Sequence, residues 1–180
     1  MVILMIDVIG FAAKTIIYKI RFGQRLTING IQAFFPNSSV YISDNGRIEL
    51  GKVTAQKNVH ISAAGGHIRM GKGVSFNKNC ILVSRAAIEI GDDCIFGPNV
   101  CIYDHDHRFD MNNVYKMEYT SENVVIENGC WIGAGVIILK GTHIGEGSII
   151  GAGAIVKGNI PAHSILTVHQ DQHIQRLVDK

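Results

Sequence analysis

The chain has 180 residues, of which 47% are hydrophobic and only 18% charged, with 20 glycines, 3 prolines and a formal net charge of +2. That length supports one substantial core, and that composition excludes a disordered chain, which needs low hydrophobicity and high charge. No run of lysines and arginines could track a phosphate backbone, so nucleic acid is not an expected partner.

Residues 1–22, MVILMIDVIGFAAKTIIYKIRF, are strongly apolar, but Asp7, Lys14 and Lys19 interrupt them short of the roughly 20 apolar residues that span a bilayer. The basic residues Lys14, Lys19, Arg21 and Arg25 follow the apolar stretch, the reverse of a secretory signal. Two readings of this segment stay open: a helix packed on the rest of the fold or on another subunit, and a membrane-surface helix with basic residues at its polar edge. Residues 1–25 are therefore read as an apolar, helical cap. The four cysteines, Cys80, Cys94, Cys101 and Cys130, include no C-x-x-C pair, which fits reduced thiols in a cytoplasmic protein.

A repeat follows. Ile48-Glu49-Leu50-Gly51, Ile68-Arg69-Met70-Gly71 and Ile88-Glu89-Ile90-Gly91 begin 20 residues apart, with Val124-Val125-Ile126-Glu127 as a degenerate fourth. Within these coils runs a period of six: Met70, Phe76, Leu82; Ile90, Phe96, Ile102; then Ile126, Ile132, Ile138, Ile144, Ile150 and Val156. Four residues after each stands a smaller or β-branched residue, such as Val74, Cys80, Cys94, Val100, Cys130 or Thr142. A helix would repeat near 3.6; a period of six suits short strands joined by tight corners, with the large residue inside a triangular prism and glycine or asparagine turning the chain. The expected fold is an all-β solenoid over residues 26–165, followed by a helical tail at 166–180.

The hexads stop at Ile102 and resume at Val124–Ile126, so residues 103–123 must leave the prism as a loop. It opens with Tyr-Asp-His-Asp-His-Arg-Phe-Asp, residues 103–110, in which two histidines lie among three acids. Imidazole beside carboxylate is common equipment for removing a proton near neutral pH. After Trp131, small residues recur at 134 and 152, and a strip without bulky side chains would let a thin ligand lie against exposed backbone.

The pattern resembles the hexapeptide-repeat, left-handed β-helix acyltransferases over residues 40–165. Asn77, Phe96-Gly97-Pro98-Asn99-Val100, His107-Arg108-Phe109 and Cys130-Trp131-Ile132-Gly133 look like the maltose, galactoside and xenobiotic O-acetyltransferase branch, and the Asp-His-Asp-His loop is most like its capsule and O-antigen members. The resemblance implies a homotrimer that uses acetyl-CoA without a metal. It also implies a sugar hydroxyl as acceptor, in surface-polysaccharide biosynthesis; the cysteines fit a cytoplasmic protein, and under the membrane-surface reading residues 1–22 would touch the inner membrane face. His107, 24 residues before Trp131, would be the general base, with His105 as the alternative if the loop shifts, and Glu118 could orient it. Trp131, Ala134, Gly151 and Ala152 would hold the donor. Lys157, or Lys140 in its place, would meet the CoA phosphates, because Gln170 and Gln172 stand where the family carries proline and lysine; Arg176 is a further substitute. Asn77 would lie beside the acceptor hydroxyl. Arg85 stands where the sugar enzymes carry an acid, and with Arg108 it would suit an acidic sugar.

Three rival readings share the solenoid. An N-acetyltransferase acting on a nucleotide-linked amino sugar has the same donor. A γ-type carbonic anhydrase would need two histidines separated by four residues on one strand, whereas His105 and His107 are separated by one, with His67 and His143 as further ligands. A non-catalytic assembly protein would bind no thioester.

Overall fold

The computed structural model describes residues 13–30 and 32–168. Strands of two to five residues wind into a left-handed parallel β-helix with three faces. The first carries seven strands, from Leu26–Ile28 to Asn159–Ile160; the second seven, from Ala33–Phe34 to Ile165–Leu166; the third six, from Ser39–Ser43 to Ile155–Val156. Ile48 pairs with Ile68, Ile68 with Ile88 and Ile88 with Val124, so the spacing read at 48, 68 and 88 is the coil-to-coil register. The longer step from 88 to 124 absorbs the excursion at 103–123.

The period of six becomes the core. Every large hexad residue from Met70 to Val156 is at most 3% exposed, and the smaller partners, including Cys80, Cys94 and Cys130, are buried with them. Burying one such aliphatic or aromatic side chain stabilises the fold by about 1.5–3 kcal/mol. Phe76 and Phe96 stack across adjacent coils with centroids 4.4 Å apart. The corner between the second and third faces is turned by Asn58, Asn79 and Asn99 with φ of 60°, 62° and 60°, and then by Gly135 and Gly153 with φ of 67° and 74°. Asparagine tolerates this left-handed region better than other side chains with a Cβ. The three asparagines also form a ladder, Asn58 Nδ2 donating to Asn79 Oδ1 (3.0 Å) and Asn79 Nδ2 to Asn99 Oδ1 (3.1 Å).

Residues 13–22 form a helix at the N-terminal end. Its Phe22 is buried, Tyr18 packs against the core, and Lys14 Nζ donates to the Ser38 carbonyl (2.8 Å), while Ile16, Ile17 and Ile20 stay exposed. Among the described residues no helix is long and apolar enough to cross a membrane. The first twelve residues of the expected cap, and the tail beyond 168 with Gln170, Gln172 and Arg176, lie outside the described residues.

The segment expected as a loop is instead an antiparallel hairpin, His105–Phe109 against Val114–Ser121, with Asp106 opposite Thr120 and His107 opposite Tyr119. Its turn is built on Asp110, whose carboxylate accepts from the amides of Asn112 (2.8 Å) and Asn113 (2.9 Å) and from the Tyr115 hydroxyl (2.6 Å).

Candidate active site

The hairpin is rooted in the prism by Asp104. Tyr103 pairs with Val83, so Asp104 stacks over Ser84, and both side chains point inward and are fully buried. A buried carboxylate needs donors to replace its water, and Asp104 has four: the Ser84 hydroxyl (2.7 Å), the Arg85 and Ala86 amides (2.8 Å each) and His105 Nδ1 (2.9 Å). An ionised carboxylate can only accept, so Nδ1 of His105 carries a hydrogen, and in the neutral ring Nε2 is the acceptor. His107 Nδ1 donates to the Tyr115 carbonyl (3.2 Å), which fixes the same tautomer without a charge.

Alternation along the strand puts His105 and His107 on one side of the hairpin. Both rings face Tyr119, at 5.4 Å and 4.8 Å between centroids, and the Arg85 guanidinium lies 3.5 Å from the centroid of that same ring. The opposite side is neutralised within itself: Lys140 Nζ pairs with Asp106 (3.0 Å) and Thr120, and Arg108 pairs with Glu118 and covers Tyr115 (4.9 Å). In the single chain Glu118 and Arg108 therefore pair with each other at the hairpin surface, and Lys140 is engaged by Asp106 and Thr120.

A groove of about 510 Å³ opens on the second face and its corner. It gathers Trp131, Ala134, Gly151 and Ala152, the residues expected to hold the donor, together with Asn77, Pro98 and the edge of Ile95. Its smallness of lining has a second cause in coil stacking. A Cβ on Gly97 would lie 2.7 Å from the Ala134 nitrogen, and one on Gly133 would lie 2.6 Å from the Ala152 nitrogen, so close packing itself demands glycine at both. The exposed Ala134 and Ala152 are not so constrained, and among the described residues their amides make no hydrogen bond, which leaves two unpaired donors among the groove's lining residues. Asn77 sits in this groove at the end of the strand Val74–Phe76; the left-handed corner belongs to Asn79.

Not everything converges within one chain. No residue of 103–123 lines the groove, so the histidines and the expected donor residues stand at different corners of the prism. Lys157 is exposed after the last third-face strand and is absent from the groove lining. Among the described residues no group of three His, Cys, Asp or Glu side chains is placed to hold a metal; His67 and His143 each face a glutamate instead, Glu49 (3.3 Å) and Glu127 (2.9 Å). Asp104 was missed in the sequence, although its stacking over Ser84 in an otherwise apolar inward column marks it.

A family model described as bacterial transferase hexapeptide (six repeats) matches residues 123–158. The chain is 31% identical over 137 residues to WbbJ of Escherichia coli K12, named as a lipopolysaccharide biosynthesis O-acetyl transferase, covering 70% of each chain. It is 36% identical over 106 residues to a galactoside O-acetyltransferase of Lactococcus lactis, covering 59% of this chain and 51% of that one. A solved structure of a hexapeptide-repeat acetyltransferase of Vibrio cholerae complexed with acetyl coenzyme A is similar at 25% identity and a TM-score of 0.55, covering 78% of this chain and 64% of that one. The chain belongs to the hexapeptide-repeat acetyltransferase family. It spans about half the length of the first curated relatives it matches.

Proposed function

We propose that this protein is an acetyl-CoA-dependent O-acetyltransferase acting on a sugar hydroxyl in the biosynthesis of a bacterial surface polysaccharide. The observation that carries this reading is the groove, in which Trp131, Ala134, Gly151 and Ala152 line a narrow path with two unpaired amides. Such a path suits the pantetheine arm of CoA, whose amides can meet the backbone while its thioester reaches Trp131. WbbJ and the galactoside enzyme support the sugar acceptor by their names.

The proposed mechanism is direct transfer. His107, its Nδ1–H held by the Tyr115 carbonyl, takes the acceptor hydroxyl proton on Nε2 as the oxygen attacks the thioester carbonyl. An exposed groove amide stabilises the oxyanion, CoA leaves as the thiol, and the proton on His107 returns to it. His105 is the second candidate base, because Asp104 gives it the carboxylate that His107 lacks.

Because one chain separates hairpin from groove, we assign the working form to a homotrimer, with sites between prisms. The apolar outer columns support this: Ile95 and Trp131 on the second face and Ile155 on the third are 55%, 53% and 67% exposed in the single chain. The site is cytoplasmic in this reading, where acetyl-CoA is available, and the exposed isoleucines of the N-terminal helix provide an apolar ridge for contact with the inner membrane face.

Calorimetric titration with acetyl-CoA and CoA tests the donor claim without an acceptor. Wild type and His107→Ala should bind alike, with micromolar affinity, while transfer to a sugar by the variant should fall by about 10²–10⁴-fold. Absence of binding by both proteins would remove the acetyl-CoA-dependent reading.

A further inference from the structure

The face of the hairpin that bears the histidines has an unbalanced charge. Arg85 lies on Tyr119 with its guanidinium carbon 3.5 Å from the ring centroid, and its Nε is buried without a hydrogen-bond partner. Among the described residues its side chain has no ion pair, and the acids nearby are all occupied. Asp104 is saturated by four donors, Asp106 is paired with Lys140, and Glu118 with Arg108. A guanidinium stacked on an aromatic ring has lost freedom and solvent but kept its planar fork of donors, the geometry that recognises carboxylate or phosphate in two parallel bonds. Leaving the buried Nε unpaired is unfavourable unless a ligand completes it.

We propose that Arg85, held on Tyr119 beside His105 and His107, is the anion-recognition residue of the acceptor site, so that the acetylated sugar carries a carboxylate or a phosphate. This rests on the acetyl-transfer reading above. His105 and His107 share the ring of Tyr119 with Arg85, so an anionic group seated on the guanidinium places the rest of the sugar, and a hydroxyl of it, toward the imidazole nitrogens. Arg108 takes no part.

The test is an NMR titration of the full-length protein, with CoA present, using methyl glucuronide, glucose 1-phosphate and neutral methyl glucoside as ligands. In the wild type one of the anionic sugars should bind at least about tenfold more tightly than the glucoside, the scale of one charge-assisted pair; which of the two does so identifies carboxylate or phosphate. Added salt should shrink the difference. Arg85→Gln keeps a planar end for Tyr119 without the charge and should bring all three within about twofold. Equal binding in the wild type, a preference that survives Arg85→Gln, or no binding of any of the three overturns the proposal. CoA titration of the same samples separates the two claims. Wild type that fails to bind CoA defeats the acetyl-transfer reading, whereas CoA binding without an anion preference defeats this inference alone. Arg85→Gln that binds CoA as wild type does has folded, since Arg85 is not among the groove's lining residues.

Discussion

Changing Asp104 to asparagine removes a charge from the prism wall while leaving shape almost unaltered. In the native structure both carboxylate oxygens are used, Oδ2 by Ser84 and the Ala86 amide and Oδ1 by the Arg85 amide and His105. An amide side chain offers one acceptor and one donor group. If its oxygen takes the Ser84 and Ala86 side, its NH₂ must face the Arg85 N–H, which then keeps only its longer bond to that oxygen (3.1 Å), and His105 must turn Nδ1 into an acceptor. The loss of the shorter Arg85 bond, an NH₂ set against that N–H, and the lost charge assistance of the remaining bonds should together cost about 2–4 kcal/mol. For a chain of this size that lowers Tm by roughly 4–16 °C, measured by circular dichroism. The second readout is the imidazole itself: ring-nitrogen NMR should show hydrogen moving from Nδ1 to Nε2 of His105, which no general loosening of the fold would produce. A Tm within about 1 °C of wild type and an unchanged tautomer would refute the clamp.

Further outcomes follow from the core, the groove and the hairpin turn. Phe96→Ala, which unstacks Phe76 in the dry interior, should destabilise by about 3–5 kcal/mol in chemical unfolding. Ala152→Leu fills the groove from an exposed position, so CoA affinity should fall by at least about tenfold, roughly 1.4 kcal/mol, while Tm stays near wild type. The Tyr115 hydroxyl and two amides hold the Asp110 carboxyl below its ordinary value of 3.8. Its contribution is therefore complete above that value and lost as pH falls through the lower folded one. Amide signals of Asn112 and Asn113 should shift to open-turn positions only in that acidic range, and Asp110→Asn should remove the transition.

The prism was legible because its rule is arithmetic. A short strand alternates in and out, so the large residues six apart within each of the three runs, Met70 to Leu82, Ile90 to Ile102 and Ile126 to Val156, had to face one interior. The use of asparagine at corners was legible for the same reason, and the structure places it at Asn58, Asn79 and Asn99, while Asn77 directly follows the strand Val74–Phe76. The hairpin was not legible. His105–Phe109 and Val114–Ser121 are largely solvent-exposed on both sides, so neither strand shows the apolar alternation that reveals a half-buried one. Its pairing is decided by cross-strand partners such as Arg108 with Glu118, and by Asp110 at the turn. The groove residues could be named from resemblance, but their separation from the histidines depends on which corner each segment reaches.

The corner that bends between the second and third faces changes character along the solenoid axis. Through Asn58, Asn79 and Asn99 it is a fence of bonded amide side chains; at Gly135 and Gly153 the same position is bare backbone. A flexible molecule lying along that edge thus has an open track over the later coils and meets a barrier at Asn99. That edge has a polarity, covered by bonded side chains over the earlier coils and bare over the later ones, set by the choice of asparagine or glycine at a single recurring turn.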